Sequence, residues 1–327
     1  MPLLPENLAG TLRAFQESRI LLSALELDVF TAVGDGATAS HAAARMGADP
    51  RATEMLLNAL VALGALTKRD GVFRNTPEAA EHFVEGAPSG GRLSLMHYVN
   101  LWNRWSRLTD CVRQGTAVDL VDIEERGGEW IAAFIAAMQR HSQEGAPALV
   151  AAVDASGARR MLDVGGGSGA YSIAFAQANP SLHAVIFDLK PVLAIAQSHI
   201  DRAGLAARVT TRAGDLHTDT FGDGFDMVLI SSICHMLSLQ ENLEMFRKSF
   251  AALNPAGRII VRDFILEDGK TAPRQAAVFS LNMLVGTRGG SNYSTAEYRE
   301  LLEQAGFAGV HHVELPTPAS LMIGAKP

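Results

Sequence analysis

Asp163-Val-Gly-Gly-Gly-Ser-Gly169 is the stretch on which the reading of this chain turns. The apolar run Arg160–Val164 leads into it, and a helical pattern starting near Tyr171 leaves it. Strand, glycine loop and helix in that order let a backbone approach a nucleotide, because glycine presents no side chain and adopts torsions closed to other residues. The spacing departs from the dinucleotide fingerprint G-x-G-x-x-G. With Gly165, Gly167 and Gly169, the third glycine comes one position early, which disfavours a nicotinamide dehydrogenase. Asp163, just before the loop, is placed to face the cationic amino end of a ligand.

Downstream, short apolar runs alternate with helical stretches. Ala184–Phe187, Val209–Ala213, Met227–Ile230 and Arg258–Val261 follow Arg160–Val164 as candidate strands. That alternation predicts an α/β fold with a parallel sheet covered on both faces. Val310–Leu315 and Ser320–Ala325, with Pro316 and Pro318 between them, read as a closing pair of strands. Asp188 ends the second strand, where a carboxylate can accept both ribose hydroxyls. Asp215 follows the third, within reach of an adenine edge. Either acid alone reads as a helix cap or turn residue. In order after the glycine loop, they specify a nucleoside-type cofactor.

The first 80 residues are of a different kind. Leu12, Phe15, Ile20, Leu21, Leu25 and Phe30 fall at helical spacing within Leu8–Val33, which Gly34-Asp-Gly36 ends. Thr38–Met46 and Pro50–Leu63 read as further helices. Ala65–Lys68 and Val72–Arg74 flank Arg69-Asp-Gly71, a hairpin signal. Helices followed by a hairpin form a winged helix, a shape associated first with DNA. Yet Pro50–Leu63 offers a groove only Arg51, Glu54 and Asn58. The first 80 residues carry 7 basic and 9 acidic side chains, so a partner subunit explains the apolar helix faces better. The expected division is 1–90 as a winged-helix dimerisation domain, 91–150 as a helical segment contributing to an acceptor pocket, and 151–327 as the nucleoside-binding catalytic domain.

Bulk properties agree. The chain has 327 residues, 48% of them hydrophobic, and a formal charge of -7, which argues against a general nucleic-acid binder. No apolar run approaches the roughly 18–20 residues of a membrane span, and the N-terminal residues lack the order of a secretory signal. Two cysteines, Cys111 and Cys234, cannot build a disulfide framework, so a cytoplasmic location is expected.

Asp163–Gly169, Phe187-Asp188-Leu189, Gly214-Asp215 and Ile233-Cys-His235 follow one another as in the plant caffeate and flavonoid O-methyltransferases and their bacterial small-molecule relatives, which the chain resembles over nearly its whole length. The resemblance implies a Rossmann-like class I methyltransferase domain behind a mostly helical winged-helix domain. It further implies a homodimer, S-adenosylmethionine as donor and S-adenosylhomocysteine as product. On this likeness the cofactor residues are Asp163, Gly165, Gly167, Gly169, Asp188, Leu189, Asp215, Leu216 and Ser231, with Phe134, Met138 and His141 lining the transfer pocket. His235 matches the family's general base, and Asp263 sits where a glutamate steadies it. The sequence departs from the family at three points. Met236 replaces an aspartate after the base, Ser231 replaces a lysine near the cofactor, and Gly289-Gly290-Ser-Asn292 replaces a second supporting glutamate.

A phenolic hydroxyl is a poor nucleophile near neutral pH, so a histidine base suits its methylation. Trp102, Trp105, Phe279 and Met283 supply apolar surface for a flat, small-molecule acceptor, and each also reads as ordinary core. Met283–Asn292 reads as a loop over that pocket, with Asn292 or Tyr293 as a hydrogen-bond donor to the acceptor. No metal-ligand cluster stands out, and neither nucleic acid nor membrane is expected as a partner. An O-methyltransferase is the leading expectation. C-methylation, or hydroxylation or decarboxylation with the same cofactor, is the alternative within the fold. A non-enzymatic ligand-binding dimer is the alternative outside it.

Overall fold

The computed structural model describes residues 5–87, 91–118, 120 and 127–327. They divide into two compact units. One holds the described residues up to Asn103 together with Gly127–Ala137, and the other holds those of Arg104–Arg126 and Met138–Pro327. The boundaries therefore fall inside two helices, and the segment 91–150 is shared between both units rather than standing alone.

The first unit opens with α1 (Glu6–Arg13), α2 (Phe15–Glu26) and α3 (Val29–Val33). The expected single helix is thus three: α1 and α2 part at Ala14, itself still right-handed, and Asp28, with a left-handed φ of 54°, parts α2 from α3. After β1 (Ala37–Thr38), α4 (Ala39–Met46) is capped by the Thr38 hydroxyl and α5 (Pro50–Ala62) by the Asp49 carboxylate. The hairpin β2 (Leu66–Arg69) and β3 (Val72–Asn75) turns at Asp70-Gly71, both at positive φ. With β1 it makes a three-stranded wing of order β1-β3-β2. Phe30, Leu57, Leu60, Leu66 and Phe73 close its core. By contrast Leu8, Leu12 and Phe15, on α1 and at the start of α2, are 52%, 64% and 56% exposed. Next come α6 (Pro77–His82) and α7 (Gly91–Trp105).

The second unit contains α8 (Leu108–Gln114), most of α9 (Gly128–Ala152) and the main sheet. Its strands are β4 (Arg160–Val164), β5 (His183–Asp188), β6 (Val209–Ala213), β7 (Phe225–Ser231), β8 (Leu253–Asp263), β9 (Ala308–Val313) and β10 (Ser320–Ala325). The helices between them are α10 (Ala170–Ala178), α11 (Lys190–Arg202), α12 (Leu239–Ala252), α13 (Arg274–Gly286) and α14 (Thr295–Gln304). The spatial order is β6-β5-β4-β7-β8-β10-β9. The first five strands of that order run parallel, and β10 is antiparallel to both its neighbours.

Strand residues alternate between two apolar layers, as the pleat requires. Leu162, Val228, Ile259 and Val261 face one layer with Phe246, Tyr298 and Leu302. Met161, Leu229 and Ile260 face the other with Leu149, Tyr171 and Phe175. Burial on both faces explains why the strands read as unbroken apolar runs. Continuing the alternation puts Asp263 on the first face, and Asp163 and Arg262 on the second. Among the described residues, no helix is long and apolar enough to cross a membrane.

Candidate active site

The glycine loop leaves the carboxyl end of β4. The Gly165 N–H donates to Phe187 O at 2.8 Å and fixes the loop over β5. Gly165 has φ +66°, and a Cβ there would meet Ile233 Cδ1 at 2.5 Å. Gly167 has φ +55° and open space where its Cβ would stand, so the left-handed torsion, not crowding, calls for glycine there. Its N–H donates to Asp188 Oδ2 at 2.8 Å, and the Leu189 N–H donates to Asp188 Oδ1 at 2.7 Å. Burial raises the Asp188 carboxyl against the pull of these two N–H groups. A carboxylate accepts about four hydrogen bonds, so two sites remain for ribose hydroxyls.

Asp163 is 1% exposed. Its Oδ2 accepts from the Ser172 hydroxyl at 2.7 Å, and its Oδ1 has no partner. Burial, reinforced by the Asp188 charge and opposed by Ser172, pushes the carboxyl up to about 7. A buried carboxylate oxygen without a partner among the described residues can accept a cationic hydrogen-bond donor. Asp215 is occupied locally, with its Oδ1 accepting from the His217 N–H at 2.8 Å. Leu216 packs against the sheet core, and its carbonyl accepts from Lys248 Nζ at 2.9 Å. Ser231 closes β7.

His235 lies in a short 3-10 turn, Cys234–Met236, just past β7. Its Nδ1 is 2.6 Å from Asp263 Oδ1. That carboxylate also accepts from the backbone N–H groups of His235 (3.1 Å) and Phe264 (2.8 Å) and from the Tyr298 hydroxyl (3.2 Å). Burial pushes the Asp263 carboxyl up. The His235 charge and the hydrogen bonds from His235 and the Phe264 N–H outweigh that push and hold it below the ordinary carboxylate range. Imidazole Nε2 has no protein partner among the described residues. Phe279 meets the ring edge-on at 5.0 Å, and Phe264 lies 6.3 Å away. The turn is buttressed by Asn242, whose Nδ2 donates to Cys234 O at 2.9 Å. Gly290 presses on it so closely that a Cβ would fall 2.3 Å from His235 O.

The other expected site residues are distributed as follows. In the second unit, Trp105 Nε1 donates to Asn282 Oδ1 at 2.9 Å, on the helix that also bears Phe279 and Met283. Met283 to Gly286 complete α13, so the loop begins later than expected. The apolar pattern of Val278–Val285 continues the helix to the glycine. Asn292 and Tyr293 are both buried and each donates to a backbone carbonyl. Asn292 Nδ2 donates to Ala276 O at 2.6 Å, and the Tyr293 hydroxyl donates to Leu237 O. Met138 and His141 lie one turn apart on α9, Met138 half-buried and His141 exposed. In the first unit, Phe134 stacks on Trp130 at 5.3 Å, and Arg19 lies 5.6 Å over the Trp102 ring.

Tyr298, Phe264 and Asn242 were not anticipated, because no local pattern links them to His235. Among the described residues, no three His, Cys, Asp or Glu side chains gather as a metal site. A groove lined by Arg159, Arg160, His183 and Arg208 opens at the opposite, amino ends of the strands, away from the glycine loop.

A family model described as an O-methyltransferase domain matches residues 105–308, and one described as an O-methyltransferase dimerisation domain matches residues 10–85. The chain is 35% identical over 323 residues to the 3-hydroxy-5-methyl-1-naphthoate 3-O-methyltransferase of Streptomyces sahachiroi, covering 97% of this chain and 93% of that one. It is 30% identical over 344 residues to the L-tyrosine C(3)-methyltransferase of Streptomyces lavendulae, covering 99% and 94%. A solved structure of PigF with SAH superposes with a TM-score of 0.90 at 26% identity, covering 99% of this chain and all of the other. The early third glycine, the acids behind it and a match running through both domains lead to one conclusion: the chain belongs to the O-methyltransferase family and is an S-adenosylmethionine-dependent methyltransferase with a Rossmann-like catalytic fold and an N-terminal dimerisation domain.

Proposed function

We propose that this enzyme, acting as a homodimer, methylates a hydroxyl on a small aromatic, polyketide-like acceptor, with His235 as general base and Asp263 positioning it. The observation that carries this reading is the 2.6 Å contact between His235 Nδ1 and Asp263 Oδ1, with Nε2 left without a partner among the described residues. A proton on Nδ1, donated to the carboxylate, makes Nε2 the basic nitrogen. Nε2 can then take the acceptor's hydroxyl proton, and the buried Asp263 charge favours the imidazolium that results. Bound S-adenosylmethionine supplies an electrophilic methyl on a sulfonium sulfur. Asp163 meets its amino group, Asp188 its ribose hydroxyls and Asp215 its adenine, while the loop glycines admit the chain of the ligand. Positioning of the two reactants contributes much of the rate. Phe264 and Phe279 exclude water around the histidine and offer flat apolar contact, which suits a fused aromatic ring.

The test is incubation with S-adenosylmethionine and a panel of hydroxynaphthoates, naphthols and quinols, with the product analysed by mass spectrometry. His235→Ala lowers turnover by about 10²- to 10⁴-fold on the acceptor that is methylated. An unchanged rate would leave positioning as the whole mechanism. A second reading, C-methylation of a phenol, draws on the relative named as acting at C(3) of tyrosine. The same base serves both, since a phenolate also carries charge on ring carbons. Fragmentation that places the new methyl on carbon rather than oxygen distinguishes the two.

A further inference from the structure

Arg262 is a buried cation that no carboxylate among the described residues neutralises. The residue is 8% exposed, and among the described residues no carboxylate lies within 4 Å of its guanidinium. Its Nε–H has no acceptor among the described residues. Nη1 reaches only two hydroxyls, Ser232 Oγ at 3.2 Å and Ser231 Oγ at 3.5 Å. The guanidinium lies 5.3 Å over the Tyr171 ring. Nη2 packs where a Cβ on Gly145 would come within 3.1 Å of it. An arginine stays charged at any working pH, and a buried charge without a partner is strongly disfavoured. The geometry calls for an anion here, and a carboxylate matches the guanidinium fork.

Its placement decides which carboxylate. Arg262 and Asp263 are neighbours on β8, so they face opposite sides of the sheet. Asp263 faces the His235 side, where the acceptor is expected. Arg262 faces the side of α10, the helix the glycine loop feeds, and there Asp163 holds the complementary orphan, an unpartnered carboxylate oxygen. The registers Asp163↔Leu229, Leu229↔Ile260 and Ser231↔Arg262 put the two residues two strands apart and two residues out of line. Strand spacing and rise together put their Cα atoms about 12 Å apart. One unpaired negative and one unpaired positive group then share one face at the carboxyl ends of the strands. The amino-acid end of S-adenosylmethionine is a zwitterion, with one charge of each sign.

We infer that Arg262 holds the cofactor's carboxylate, opposite the Asp163 that holds its amino group, and that this buried arginine sets cofactor affinity. The inference rests on the cofactor placement proposed above. Isothermal titration of the full chain with S-adenosylhomocysteine and with its decarboxylated analogue tests it. Arg262→Met weakens S-adenosylhomocysteine binding by roughly 10- to 100-fold, the range for a hydrogen bond to a charged group, and leaves the analogue within about threefold of wild type. Arg262→Lys, which keeps the charge but loses the fork, falls between, and it carries the test should the Met variant fail to fold. Equal weakening of both ligands would make Arg262 merely structural and overturn the inference. So would unchanged S-adenosylhomocysteine binding. In that second case, 1-naphthoate binding to the loaded enzyme that is lost in the variants would assign the arginine to an acceptor carboxylate. Failure of the wild-type chain to bind either ligand would instead count against the cofactor placement itself.

Discussion

Replacing Asp163 by asparagine separates cofactor affinity from pH. In the ligand-free protein, burial pushes this carboxyl up to about 7 from an ordinary value of 3.8. The folded-state value is the raised one, so the neutral form is favoured by folding. The stabilisation it brings is fully present below pH 3.8 and is lost as pH rises through 7. Some 3 pH units of displacement correspond to about 4 kcal/mol against the ionised carboxylate, and a cationic amino group placed beside it would relieve this. Binding must then expel the proton. The fraction already ionised rises from about a tenth at pH 6 to about nine tenths at pH 8. Affinity for S-adenosylhomocysteine therefore improves about tenfold over that range and levels off above it. Titration in buffers of different ionisation enthalpy should show nearly one proton released at pH 6 and almost none at pH 8. Asp163→Asn keeps the Ser172 contact but cannot ionise, so its weaker affinity should be flat across the range. A wild-type profile that is flat, or a variant profile that keeps the same slope, would refute the reasoning.

Asp263→Asn should lower turnover about 10- to 100-fold, the equivalent of one charge-assisted hydrogen bond, with little change in S-adenosylhomocysteine affinity; parallel losses in both would point to collapse of the site. Tyr298→Phe removes one of the four hydrogen bonds Asp263 accepts, and should cost about 1 kcal/mol of stability in thermal denaturation with a smaller effect on rate. Gly290→Ala drives a Cβ into the His235 carbonyl, so a loss of about 1–3 kcal/mol in stability together with reduced kcat is expected; wild-type behaviour in both assays would contradict the packing described. Leu12→Glu, on the exposed apolar face of α1, should shift sedimentation from dimer toward monomer at micromolar concentration while leaving the far-UV spectrum unchanged.

Much of this fold was legible because the parallel strands are apolar on both faces and the glycine loop has a distinctive spacing. What local patterns carry less well is interruption. Leu8–Val33 has unbroken helical periodicity, yet Asp28 takes a left-handed torsion that no periodicity reports. β8 begins at Leu253, five residues before the expected Arg258, because Leu253 already pairs with Phe225 while Asn254-Pro-Ala-Gly257, which reads as a turn, bulges out before the ladder resumes at Arg258↔Met227. Ala37–Thr38 is too short to alternate at all. The Asp263 cluster was half legible. His235 and Asp263 follow strand ends, where such folds place their ligand groups. Tyr298 reaches the same carboxylate from 35 residues further on and announces nothing in its own helix. Arg262 did carry a signal: a charged residue directly after Ile259-Ile-Val261 interrupts a buried strand and invites the question of its counterion.

The antiparallel β10 has a consequence for how the enzyme is made. It lies between β8 and β9, and pairs Ser320 with Asp263 at the very end that supports the histidine. During synthesis, a chain that has already emitted β8 therefore exposes a hydrogen-bonding edge next to its own catalytic end until residues 320–325 arrive. The sheet grows in space in a different order from that in which the ribosome delivers it. Over that interval of some sixty residues, the unfinished site is also the surface most open to mispairing with another nascent chain.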